Sequence, residues 1–152
     1  MTMLSRTFEI RTPEEMRSLG INLGNLLFPS AFIAYFGGLG AGKTTMTKGV
    51  AEALGIDGIL SPTFTIVRKH LGKMELDHFD AYRIEDADEL YAVGYDEYLS
   101  NEGVIVMEWC ENVPEALPAE RLEIHIEGSG NDPRIVTMIA FGERYSEILE
   151  EM

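Results

Sequence analysis

Four glycines fall within residues 37–42 of the stretch FGGLGAGKTTMTKGV, and Lys43, Thr44 and Thr45 follow at once. Glycine leaves no side chain to bury and loses the most conformational freedom on folding, so a packed element avoids it. A cluster of this kind is explained by main chain that must curl tightly around something. The flanks narrow the choice. AFIAYFG, before the glycines, is an apolar run that reads as a buried strand. KTTMTKGVAEALGI, after them, sets Met46, Val50, Ala53 and Leu54 at helical spacing.

The segment from Gly37 to Thr44 fits G-x-x-x-x-G-K-[ST]. Small residues let successive amides point inward as a nest for phosphate oxygens. The helix that opens at the loop turns its positive end to the same anion. Lys43 supplies a cation for the β- and γ-phosphates, and the Thr44 hydroxyl is an oxygen donor of the kind Mg²⁺ prefers. The bland alternative is a glycine turn that binds nothing, and the strand before and helix after weigh against it. The dinucleotide pattern G-x-G-x-x-G fails, because its third glycine would fall on Lys43 or Thr45.

The net charge of −14 sharpens this reading. An acidic surface repels free nucleic acid, so no direct nucleic-acid binding is expected, and a phosphate ligand must be held by local geometry. The 152 residues suggest one domain, able to bury a core without staples. A single cysteine, Cys110, excludes an internal disulfide and reads as a small buried residue. Without a signal-peptide pattern or a run long enough to cross a bilayer, a cytoplasmic, membrane-free protein is expected.

TFEIRT reads as a short strand, and TPEEMRSLGINLGNLLF as a helix with Thr12 as N-cap and Pro13 at its first position. SPTFTIVRKH and KMELDHFDAYRI form two strands joined at Leu71–Lys73. EDADELYAVGYDEYLSN holds one or two short helices, and GVIVMEW is a buried strand. RLEIHIEGSGNDPRIVTMIAFG is a hairpin turning at Gly128–Asp132, and ERYSEILEEM is a final helix. Early alternation with later hairpins predicts an α/β fold with a mixed, mainly parallel central sheet and added antiparallel hairpins.

A phosphate loop needs carboxylates for Mg²⁺ and for the attacking water. Glu108 ends the VIVMEW strand, where such a carboxylate belongs; the alternative is a strand-end acid facing solvent. In LDHFDAYR, strand alternation puts Leu76, His78, Asp80 and Tyr82 on one face. That polar face is either solvated or a site. A transition-metal site from His-x-Asp and a distant Glu is a weak alternative, since no second histidine has ligand spacing. Ser61, Pro62, Thr63 and Phe64 occupy the place of a switch-like loop, but on chemistry alone a plain loop explains them as well. Trp109 follows Glu108 and is expected to point to the opposite face of the strand, as core or partner contact.

Together, GGLGAGKTT, SPTF, HFDAYR and EW, in this order, resemble the TsaE (YjeE) family of bacterial ATPases in threonylcarbamoyl-adenosine tRNA modification. The resemblance implies a three-layer P-loop NTPase-like fold and Mg²⁺-dependent ATP hydrolysis, weak in the protein alone. It also implies action with a TsaD- and TsaB-like pair that performs the transfer to tRNA. Gly38, Leu39, Gly40, Ala41, Gly42, Lys43, Thr44 and Thr45 would bind ATP, with Thr12 and Arg134 near the adenine or phosphates. Lys43, Asp80 and Glu108 would be catalytic, Thr44 and Glu108 would hold the metal, and Ser61 to Phe64 would form the switch-like loop. His78, Tyr82, Arg83 and Trp109 would support the site or face the partner. The chain departs from the family at Gly38, often Asp, and at Cys110, often Pro.

Two rivals share the phosphate loop. A small-molecule kinase would need an arginine-rich lid, whereas Arg68, Arg83, Arg121, Arg134 and Arg144 are scattered. A nucleotide-dependent adaptor would bind and dock without significant turnover. The guanine-reading N-K-x-D motif is absent, which favours ATP over GTP.

Overall fold

The computed structural model describes residues 4–37, 42–59 and 65–152. Gly38, Leu39, Gly40 and Ala41 of the glycine turn, and Ser61, Pro62, Thr63 and Phe64 of the expected switch-like loop, lie outside these ranges.

Among the described residues one sheet is built from β1 (Ser5–Ile10), β2 (Phe32–Phe36), β3 (Val67–His70), β4 (Leu76–Asp80), β5 (Val104–Glu108), β6 (Arg121–Glu127) and β7 (Arg134–Phe141). Its strand order is β1-β7-β6-β2-β5-β4-β3. The centre is parallel: β2 lies between β6 and β5, and β5 pairs with β4. The flanks β6–β7–β1 and β4–β3 are antiparallel, as the two hairpins predicted. A central parallel strand is covered on both faces and needs a continuous apolar run. β2 and β5 have that character, and four of the five residues of β2 and all five of β5 are buried.

Helices cover both faces. On one, Met16, Leu19 and Leu23 of α1 (Pro13–Gly24) and Met46 and Val50 of α2 (Lys43–Ala53) pack on Ile33, Tyr35, Val106 and Ile124. Tyr145, Ile148 and Leu149 of α5 (Glu143–Glu151) join this layer. On the other face, Leu90 of α3 (Ala87–Ala92) and Tyr95 of α4 (Tyr95–Ser100) pack on Phe32, Ala34, Phe79 and Met107. Thr12 caps α1 as expected: its hydroxyl accepts from the Glu15 amide at 3.1 Å, and the Glu15 carboxylate accepts from the Arg11 amide at 3.1 Å. The helix stops at Gly24, short of the expected Phe28, and Asn25 closes it.

α1 and α2 touch backbone to backbone. A Cβ on Gly20 would strike the Met46 carbonyl oxygen, and one on Gly49 would strike that of Arg17. These helical glycines are explained by close approach, not by turns.

One buried acid sits away from the ends of the parallel strands. Asp77, the second residue of β4, is fully buried, and neither carboxylate oxygen has a hydrogen-bond partner among the described residues. Gly103 leaves room for it, since a Cβ there would lie 2.5 Å from Asp77 Oδ2 and 3.0 Å from Glu75 Oε2. Burial first, then the neighbouring Glu75 carboxylate, pushes Asp77 up to about 7, against a smaller opposing pull from Lys69. The folded chain therefore keeps this proton after the unfolded chain has released it, so stability from Asp77 declines as pH rises from about 4 to about 7. Asp77→Asn is expected to raise the melting temperature relative to the parent, with a gain several degrees larger at pH 8 than at pH 5. Equal gains at the two pH values would contradict the assignment.

Candidate functional site

The parallel strands β2, β4 and β5 end at one edge of the sheet, and α2 begins there. Gly37, which leaves β2, has φ of 147°, and a Cβ on it would lie 2.7 Å from the Ile126 carbonyl oxygen. Gly42 precedes α2 with φ of 106° and supplies no side-chain cap. The helix dipole favours an anion at this end of α2.

Lys43 opens α2, and its side chain is 5 % exposed. A buried ammonium must be matched by partners. Its Nζ donates to the Gly37 carbonyl at 2.9 Å and lies 4.0 Å from Glu108 Oε1 and 4.1 Å from the centre of the Trp109 ring. Glu108 is the last residue of β5 and is 8 % exposed, so the solvent-facing alternative is overturned.

Sequence register brings the second carboxylate beside the first: Asp80 at the end of β4 pairs directly with Glu108. Between them in function is His78, fully buried two residues earlier on the same face. Its Nε2 donates to Glu108 Oε2 at 2.6 Å, while Nδ1 is buried with no partner among the described residues. A carboxylate oxygen accepts, so the proton of this bond is carried by Nε2. His78 therefore supports the site from inside and cannot be partner surface. Because Nε2 is committed to Glu108, the transition-metal alternative fits poorly, and no group of three His, Cys, Asp or Glu forms a metal cage among the described residues. Burial raises the Asp80 pKa from its ordinary value, opposed by the Tyr82 amide bond and assisted to a lesser degree by the Glu108 charge.

Two expectations about this edge are corrected. Tyr82 does not share the face of His78 and Asp80. β4 ends at Asp80, whose Oδ1 accepts from the Tyr82 amide at 2.9 Å, and the resulting turn carries Tyr82 and Arg83 outward to exposed positions. Trp109 does not follow strand alternation either. Its φ of 61° and ψ of 40° are left-handed, which swings the indole back over Lys43, on the Glu108 side, and 4.9 Å from the Tyr82 ring. Cys110 is buried as expected, with its thiol donating to the Met107 carbonyl at 3.2 Å.

Thr44 is exposed on the first turn of α2. Gly42 and Thr45 line a cleft of about 420 Å³ together with Thr12 and Arg134, which the sequence had placed near a nucleotide. The Thr12 hydroxyl is engaged in capping α1, and the Arg134 guanidinium donates to the carbonyls of Asp132 at 2.6 Å and Gly130 at 3.3 Å. Arg11, Asn131 and Asp132 also line the cleft. Sequence reasoning missed them as lining residues; the β6–β7 turn was recognised only as a turn.

At the strand edge the Glu108 and Asp80 carboxylates are ladder neighbours, and Thr44 follows Lys43 on the first turn of α2. That donor set suits a hard divalent cation that keeps several waters and is shared with phosphates.

His78→Ala strips Glu108 of its hydrogen bond while leaving the carboxylate buried. A loss of about 1–3 kcal/mol of stability is expected in chemical denaturation, the scale for leaving a buried group unsatisfied. An unchanged midpoint would show that the pair contributes nothing.

The sequence model of the family "Threonylcarbamoyl adenosine biosynthesis protein TsaE" matches residues 10–136. The tRNA threonylcarbamoyladenosine biosynthesis protein TsaE of Bacillus subtilis is 44% identical over 142 residues, covering 92% of this chain and 89% of that protein. Its counterpart from Streptomyces coelicolor is 42% identical over 140 residues, covering 86% and 94%. The crystal structure of Bacillus subtilis YdiB superposes with a TM-score of 0.86 at 36% identity, over 99% of this chain and 95% of that one. The chain belongs to the TsaE family of tRNA threonylcarbamoyladenosine biosynthesis proteins.

Proposed function

We propose that this protein is a Mg²⁺-dependent ATPase of that pathway, and that it works with a TsaD- and TsaB-like pair by supporting the pair's turnover. The observation that carries the reading is the convergence of Lys43, Glu108 and Asp80 at the strand edge where α2 begins. A cation, two carboxylates and a helix start are the parts that phosphoryl chemistry requires.

In this reading the amides from Gly37 to Thr45 and the Lys43 ammonium hold the phosphates. Thr44 and Glu108 hold Mg²⁺, which, when bound, neutralises charge developing on the phosphate oxygens. His78 fixes Glu108 through Oε2, so that Oε1 is the oxygen turned to the site. Asp80 orients the attacking water. Its raised proton affinity makes it a better acceptor than an ordinary surface carboxylate. Burial excludes bulk water from Lys43 and Glu108, which strengthens their electrostatics. The cleft between Thr12 and Arg134 takes the remainder of the nucleotide. An acidic protein of this kind reaches the tRNA pathway through its protein partners, since its net charge of −14 opposes direct capture of RNA.

Lys43→Ala is expected to abolish nucleotide binding in calorimetry; unchanged affinity would refute the site. Asp80→Ala is expected to spare binding and slow hydrolysis by roughly 10²-fold or more in a phosphate-release assay. The wild-type rate should fall on acidification at a higher pH than an unperturbed aspartate would give, because the proton taken up by Asp80 disables it. A pull-down should recover the TsaD- and TsaB-like pair, and the pair should raise hydrolysis. Failure to associate would argue for an ATPase that acts elsewhere.

A further inference from the structure

The Lys43 ammonium has three N–H groups and, among the described residues, three close neighbours: a carbonyl, a carboxylate and an indole face. Only 5 % of its side chain is exposed. A ligand from solution that is to contact the ammonium must compete with these neighbours. The Gly37 carbonyl is main chain beside β6. Glu108 is pinned by His78. Trp109 alone is attached by a strained backbone, left-handed at φ 61°, a conformation costly for a bulky side chain. Its ring rests against the exposed ring of Tyr82, with no hydrogen bond recorded for the indole nitrogen among the described residues. The turn that follows, Cys110–Asn112, brings Glu111 Oε2 to 3.4 Å from the Gly37 amide. The same short segment thus sets a π face on the loop's cation and a carboxylate on the loop's first amide.

We infer that Trp109 is a positioning residue that occupies the phosphate-facing side of Lys43 in the empty site, and that an incoming nucleotide phosphate displaces the indole from the ammonium. The inference rests on the proposed nucleotide reading. It assigns Trp109 a cost to binding. A cation–π contact of this kind is worth enough to alter affinity by about three- to thirtyfold when desolvated. Displacement also lets the backbone at Trp109 relax from its left-handed conformation.

Trp109 is the single tryptophan of the chain, so its emission reports its own surroundings. Wild-type protein is titrated with Mg-ATP while emission is read under selective indole excitation, and binding is measured in parallel by calorimetry. Emission is expected to change in step with binding. In the nucleotide-free protein, Lys43→Met is expected to alter emission as well, because the ring loses its cation. Trp109→Phe and Trp109→Leu are then compared with wild type for nucleotide affinity, with folding checked by circular dichroism. Affinity should rise in the order Trp, Phe, Leu as the ring weakens and disappears; a merely structural tryptophan would give unchanged or falling affinity. Emission that stays constant at calorimetric saturation overturns the inference and leaves the nucleotide reading intact. No calorimetric binding by the wild type overturns the nucleotide reading and takes this inference with it. If Trp109→Leu fails to fold, the wild-type titration and Trp109→Phe still decide the matter.

Discussion

A cation buried at the start of α2 is the constraint around which the rest is arranged. Lys43 is almost wholly removed from water, and an ammonium in that position is tolerated only where acceptors surround it. Its carbonyl partner comes from the residue leaving β2, its carboxylate from the end of β5, and its aromatic cover from the residue after that. The three neighbours fall into place because β2 and β5 are adjacent and parallel, so both chains emerge at the same edge. An antiparallel neighbour would have sent its strand-end acid to the far side of the molecule. The mixed sheet is therefore not a neutral platform. Parallel pairing at its centre brings the charged groups together, and the antiparallel hairpins complete the flanks.

The carboxylates show a second level of support. Glu108 is fixed by His78, which sits on the neighbouring strand, and Asp80 lies directly across the ladder from Glu108. The polar face of β4 is thus an internal brace for the end of β5. Its histidine is buried with one ring nitrogen that has no hydrogen-bond partner among the described residues, a cost that is understandable where it holds a carboxylate in a fixed orientation.

Much of this was legible in the residues. The glycine run between an apolar strand and a helical repeat fixed the loop's place, and the apolar runs of β2 and β5 marked the central parallel strands. The hairpins at Leu71–Lys73 and Gly128–Asp132 were visible from turn chemistry, as was the Thr12 cap. What escaped depends on single backbone angles or on long-range proximity. Strand alternation placed Trp109 on the wrong face because it assumes extended backbone, and one positive φ reverses the side chain. Tyr82 was misplaced for a related reason, because Asp80 bonds the amide two residues on and ends the strand. Arg11, Asn131 and Asp132 carry no local pattern that points to a cleft; only the fold brings the start of α1 to the β6–β7 turn.

The glycines of the two long helices have a mechanical meaning. Where Gly20 and Gly49 let α1 and α2 meet main chain against main chain, there is no layer of side chains to absorb relative motion. The two helices are therefore tied closely together, one starting at Lys43 and the other at the threonine that caps α1, so the positions of the two starts depend on the same main-chain contact.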